Sequence, residues 1–182
     1  MLLLTKGVPL EGAAIIAREK EAELLRRGLP PSLLERAKNF LHRPGISVVP
    51  EAMLASEVAP VHSMHDPTEG GVATALTELA EASQVGLRVE RERIPVLPEG
   101  ERLCRELGLD PLGTIASGSL LLALAPADAA LVLHACAREG IDCAFVGQVV
   151  PESEGVMLVE HGHTRPMPAF PQDEIAKLFG RS

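Results

Sequence analysis

The run Ser119-Leu120-Leu121-Leu122-Ala123-Leu124-Ala125 is apolar at odd and even positions alike. A strand that is apolar on both sides has to be covered on both sides, so this run requires a central strand between two layers. Leu2 to Thr5 reads as a second buried strand. Elsewhere, segments of helical period alternate with short extended ones, the pattern of an α/β or α+β fold. With 182 residues and 46% hydrophobic side chains the chain can fill one good core. The expectation is one αβα-layered domain with a mixed sheet over residues 1–182.

Helices are expected over 13–27, closed by a left-handed Gly28, and from Pro30-Pro31-Ser32, where Ser32 and Glu35 form a capping-box pattern. Residues 46–49 suit a short extended piece and 50–55 a helical turn or two. Later helices are expected over 98–107, 126–139 and, as an amphipathic terminal element, 171–179. Strands are expected over 86–90 and 143–150, with 156–160 returning beside the latter as a hairpin.

Chemistry concentrates at Ser63-Met64-His65-Asp66-Pro67-Thr68-Glu69-Gly70-Gly71-Val72-Ala73-Thr74. Residues 60–64 bring the chain in as a strand. From Val72 the apolar positions Val72, Leu76, Leu79 and Ala80 mark one face of a helix that starts near Gly70, opposite Thr74, Glu78 and Glu81. Gly70 and Gly71 let a ligand reach the backbone, and free amides with the helix dipole favour an anion, phosphate above all. Asp66 can bind an acceptor amine or hydroxyl or act as a base, and His65 beside it can form an imidazole–carboxylate pair for proton transfer. Taken alone, the same turn also suits a plain helix cap with Asp66 in an Asx turn.

Charge and composition exclude other classes. Lys and Arg number 17 against 25 Asp and Glu, for a net charge of -8, so no field favours nucleic acid. There is no Trp or Tyr and only four Phe, which removes stacking platforms for bases. Cys104, Cys136 and Cys143 form no Cys-x-x-Cys pair and read as reduced thiols. No run is long enough to cross a membrane, and a cytoplasmic protein is expected. His62, His65, His161 and His163 are better read as surface or satisfied histidines than as ligands, so no metal site is expected.

Over nearly its whole length the chain resembles the C-terminal domain of the aminoimidazole ribonucleotide (AIR) synthase-related superfamily, and within it the hydrogenase-maturation branch. The residues that carry the likeness are Lys6-Gly7-Val8-Pro9-Leu10-Glu11-Gly12, Pro44-Gly45-Ile46-Ser47-Val48, Asp66 to Leu76, Ile94-Pro95-Val96, Gly108-Leu109-Asp110-Pro111-Leu112 and Ala116-Ser117-Gly118. The resemblance implies ATP-dependent chemistry through phosphorylated or phosphate-like intermediates. ATP and Mg would be held mainly by an N-terminal domain that this chain does not include, and tight binding of either to this chain alone is not expected. It further implies Lys6 and Gly7 as ligand contacts, and, joined to the reading of the turn, makes Asp66 and His65 the candidate catalytic residues, with Thr68, Glu69, Gly70, Gly71 and Gly118 also around a small-molecule or phosphate-containing ligand.

Two positions depart from that pattern. Glu69 stands where the branch has Arg, and a carboxylate there suits the helix dipole but repels phosphate. The stretch Ile175-Ala176-Lys177-Leu178-Phe179-Gly180-Arg181-Ser182 lacks the cysteine on which the branch's dehydratase works. Both features favour the alternative of a non-catalytic binding or assembly module with the same fold. A homodimer is expected as well, because Leu2-Leu3-Leu4 is read as an apolar edge seeking a cover.

Overall fold

In the computed structural model, which describes residues 1–180, a seven-stranded sheet in the order β2-β4-β1-β5-β3-β6-β7 organises the chain. The strands are β1 (Leu2–Thr5), β2 (Val61–His65), β3 (Gly86–Glu90), β4 (Leu121–Leu124), β5 (Cys143–Val150), β6 (Val156–Glu160) and β7 (His163–Pro166). The helices are α1 (Leu10–Glu19), α2 (Glu21–Arg26), α3 (Pro31–Lys38), α4 (Val49–Val58), α5 (Gly71–Ser83), α6 (Pro98–Leu107) and α7 (Pro126–Arg138). The sheet is mixed: β3 and β6 run parallel, and the other paired neighbours are antiparallel.

The doubly apolar run does what its pattern requires. Leu121 and Ala123 face one apolar cluster with Val72, Leu76 and Leu79 of α5, while Leu122 and Leu124 face another with Ala55 of α4 and Val132 of α7. Period-two alternation thus places the two sides of one strand in two cores, the αβα layering. β1 sits between β4 and β5 with Leu2, Leu3 and Leu4 fully buried. Each such leucine contributes on the order of 2 kcal/mol of transfer free energy. The expected apolar edge at Leu2-Leu3-Leu4 is therefore a central strand, already covered, and gives no reason for self-association. A third cluster, from α1, α3 and α6, packs Leu10, Ile16, Leu34 and Leu103 together.

Other boundaries differ for local reasons. The helix expected over 13–27 starts earlier and breaks at Lys20, whose φ of -110° leaves the helical region. Gly12 lies inside α1 because its amide donates to Ile115 O (2.9 Å), an approach too close for a side chain. Ser32 does not cap α3: Pro30 holds that position and Pro31 opens the helix. Residues 46–48 form a bend and loop, and α4 begins at Val49. The expected β5–β6 hairpin is absent because β3 lies between them, and β6 instead turns at His161-Gly162 into β7. The terminal segment is a short 3-10 helix, Glu174–Leu178. The part of the expected tail at Arg181 and Ser182 lies outside the described residues. Among the described residues no helix is long and apolar enough to cross a membrane.

Candidate functional site

β2 delivers His65 to its end, and the five residues 66–70 turn the chain into α5. Pro67 has no amide to satisfy, and its carbonyl accepts from Ala116 N–H at 3.1 Å. Gly70 and Gly71 have φ of 78° and 63°, the left-handed region that a side chain disfavours. A β-carbon at Gly71 would stand 2.5 Å from Leu112 O, so α5 starts directly against residues 112–114. The amides expected to face an anion have internal acceptors. Gly70 N–H donates to Asp173 Oδ2 (2.7 Å), Gly71 N–H to Thr68 O (3.0 Å) and Ala73 N–H to Leu112 O (3.0 Å).

Asp66 is half-buried at the mouth of this turn, and its Oδ1 accepts from Gly118 N–H at 3.1 Å. Gly118 has a φ of 101° and packs against the backbone of Ile46, which closes the loop of residues 45–47 over this corner. Burial holds the Asp66 carboxyl above its ordinary pKa and the neighbouring Glu11 adds to the effect, while the Gly118 amide, His65 and Lys6 act in the opposite sense. His65 does not pair with Asp66. Its Nε2 lies 2.7 Å from Glu78 Oε2 of α5, because adjacent residues of an extended chain point to opposite sides. The imidazole–carboxylate pair thus exists, but with a different carboxylate.

Lys6 lies on the far side of the 45–47 loop. Its ammonium reaches Gly45 O (3.0 Å), Ser47 O (2.7 Å) and Glu51 Oε1 (2.5 Å), with side-chain exposures of 8% for Lys6 and 1% for Glu51. The contact with Glu51 is ionic rather than directional, since neither oxygen of Glu51 receives an aligned hydrogen bond. Gly7 is buried beside it, its carbonyl accepting from Ser119 Oγ at 2.6 Å, and a β-carbon there would stand 2.9 Å from Pro95 O. These two residues tie loops together and present no free group to the exterior.

Thr68 and Glu69 are exposed and, with Gly70, Thr74 and Glu78, line a groove of about 420 Å³ whose other wall is Phe170 to Asp173. Reading by residue type missed Asp173, which at 5% exposure is one of the few buried carboxylates. Its local signal, an Asp accepting from the amide two residues on, announces a turn and says nothing of Gly70, 103 residues away. Among the described residues no three His, Cys, Asp or Glu side chains gather to hold a metal ion.

Known proteins share this fold. The family model of the AIR synthase related protein, C-terminal domain, matches residues 1–160. The carbamoyl dehydratase HypE of Rhizobium leguminosarum bv. viciae is 41% identical over 102 residues, 55% of this chain and 29% of that protein. HypE of Azotobacter vinelandii is 37% identical over 112 residues, 60% of this chain and 32% of that protein. The crystal structure of Escherichia coli HypE, a hydrogenase maturation protein, superposes with a TM-score of 0.71 and 28% identity over 96% of this chain and 51% of that one. A hydrogenase maturation protein HypE in complex with ATP shares the fold at a TM-score of 0.67 and 24% identity, over 94% of this chain and 51% of that one. The chain thus spans about half the length of the solved relatives. With a family model covering residues 1–160 and the fold of HypE, this chain belongs to the AIR synthase-related family as its C-terminal domain, on the hydrogenase-maturation branch.

Proposed function

We propose that this domain supplies the acceptor side of an ATP-dependent site that an N-terminal ATP-binding domain completes. The observation that carries the reading is Asp66. It is a half-buried carboxylate just past the end of the edge strand β2, and among the described residues it accepts one hydrogen bond, from Gly118. A carboxylate so placed can take a proton from an acceptor N–H or O–H, and its raised pKa strengthens it as a base. Thr68, two residues on, is exposed and lines the groove together with Glu78, the partner of His65. Lys6, Gly7, Gly70, Gly71 and Gly118 act by holding the loops in place.

The relative solved in complex with ATP supports nucleotide use by the whole protein. MgATP is assigned to the N-terminal domain, and this chain alone binds it weakly or not at all. The acceptor is a small or phosphate-containing molecule. Joining the chain to such an N-terminal domain and assaying MgATP turnover tests the reading: turnover that Asp66→Asn abolishes supports it.

A second reading is favoured by the turn itself. The amides of Gly70, Gly71 and Ala73 are engaged internally and Glu69, Glu78 and Asp173 surround the groove, which suits a domain that has kept the fold without the chemistry. Turnover of MgATP at an enzyme-like rate by the joined protein would exclude it. A homodimer would draw on the exposed Ile46, Val49 and Met53 rather than on Leu2-Leu3-Leu4. Sedimentation of a monomer at high concentration would exclude that as well.

A further inference from the structure

The family model ends at residue 160, yet the chain beyond it returns to the glycine turn. After β7, Phe170 lies flat on Gly113, so close that a β-carbon there would enter its ring. Asp173 then accepts from Gly70 N–H through Oδ2 and from Ile175 N–H through Oδ1 (2.9 Å). Glu174, 4% exposed, accepts from Asp110 N–H through Oε2 (2.9 Å), while its own amide donates to Gly113 O (3.0 Å) and Lys177 closes on its carboxylate. Two consecutive buried carboxylates therefore grip two different segments: the glycine turn, and the 110–113 loop that leads to Gly118.

Those two segments are the ones that define Asp66. The turn sets where the chain leaves Asp66, and the 110–118 segment supplies both the Ala116 amide on Pro67 and the Gly118 amide on Asp66. Burying two carboxylates is costly unless each is satisfied, and here Asp173 is satisfied by the amides of Gly70 and Ile175, and Glu174 by the Asp110 amide together with the Lys177 ammonium. A strap that served only to cover apolar surface would not need them.

We propose that Asp173 is a positioning residue for the candidate site, and that residues 170–175 act as a strap fixing the Asp66–Gly71 turn relative to Gly118. The role in turnover rests on the function proposed above; the role in holding the turn does not. Charge-assisted hydrogen bonds to backbone amides are among the stronger single contacts, so losing one opens the turn locally.

Amide hydrogen exchange of the full chain tests this directly. In Asp173→Ala the amides of residues 70–73 should exchange about tenfold faster or more, while those of β1 and β4 stay within twofold of the parent. Asp173→Asn, which keeps an oxygen acceptor without the charge, should fall between the two and covers the case in which the alanine variant does not fold. Unchanged exchange at Gly70 in the asparagine variant together with an unchanged or uniformly faster rate in the alanine variant would overturn the proposal. In protein joined to an ATP-binding domain, Asp173→Ala should lower kcat about tenfold and leave KM for MgATP unchanged. Full turnover by Asp66→Asn would sink the functional reading and leave the exchange result standing; unaltered exchange in both Asp173 variants would sink the strap and leave the functional reading standing.

Discussion

Lys6 and Asp66 lie at opposite ends of one corner of the fold, joined by the 45–47 loop, and the protein uses their charges in opposite ways. The Lys6 side chain is 8% exposed, and its ammonium donates to two carbonyls and forms an ion pair with the buried Glu51 carboxylate. Asp66 keeps part of its surface open and, among the described residues, accepts a single amide. A buried charge held by an opposite charge is part of the framework, whereas a desolvated charge with no opposite charge against it is available to a ligand. Charge type in a sequence cannot separate the two cases, because both residues sit in glycine-rich turns before helices.

The largest expected effect breaks the framework member of the pair. Lys6→Met leaves Glu51 buried and uncompensated and should cost about 3–5 kcal/mol in denaturant unfolding, with Lys6→Met combined with Glu51→Gln recovering part of the loss. A loss under about 1 kcal/mol would make Lys6 a surface charge and collapse the distinction. Next, Gly71→Ala places a β-carbon against Leu112 O at a positive φ and should cost about 2 kcal/mol or more, read the same way.

Asp66 should respond with a smaller change and the opposite sign. Its pKa is raised in the folded state, so the native protein holds this proton more tightly than the unfolded chain does. Stability then declines as pH rises from the ordinary carboxylate value through the raised one, and Asp66→Asn should be free of that decline and no less stable near neutrality. A variant that follows the parent's pH curve would show that Asp66 is not the group responsible. Smallest of all, Glu78→Gln removes an exposed partner of His65 and should change stability by less than about 1 kcal/mol.

The layering was readable because burial on both faces leaves a mark at every residue of a strand: Leu120 to Leu124 could only be central. The start of α5 was readable for a similar reason, since Gly70-Gly71 followed by helical periodicity leaves little freedom. Long-range choices were not. That β3 would insert between β5 and β6, and that Leu2 to Leu4 would have strands on both flanks, depend on pairings more than fifty residues apart that period and propensity do not encode. At the site, Asp66 and Gly118 were identified by residue type and motif, but their hydrogen bond, the capture of Lys6 by Glu51 and the grip of Asp173 on Gly70 are tertiary facts. Pairing His65 with Asp66 failed because sequence neighbours on an extended chain diverge, whereas Glu78 one side of a helix away converges.

The most direct test of Asp66 as the group left for chemistry is MgATP turnover by the chain joined to an ATP-binding N-terminal domain, measured for the parent and for Asp66→Asn alongside MgATP binding. Loss of turnover with MgATP affinity retained is the result expected for an acceptor-side carboxylate. Parent-level turnover in Asp66→Asn would contradict it and return Asp66 to the framework with Lys6.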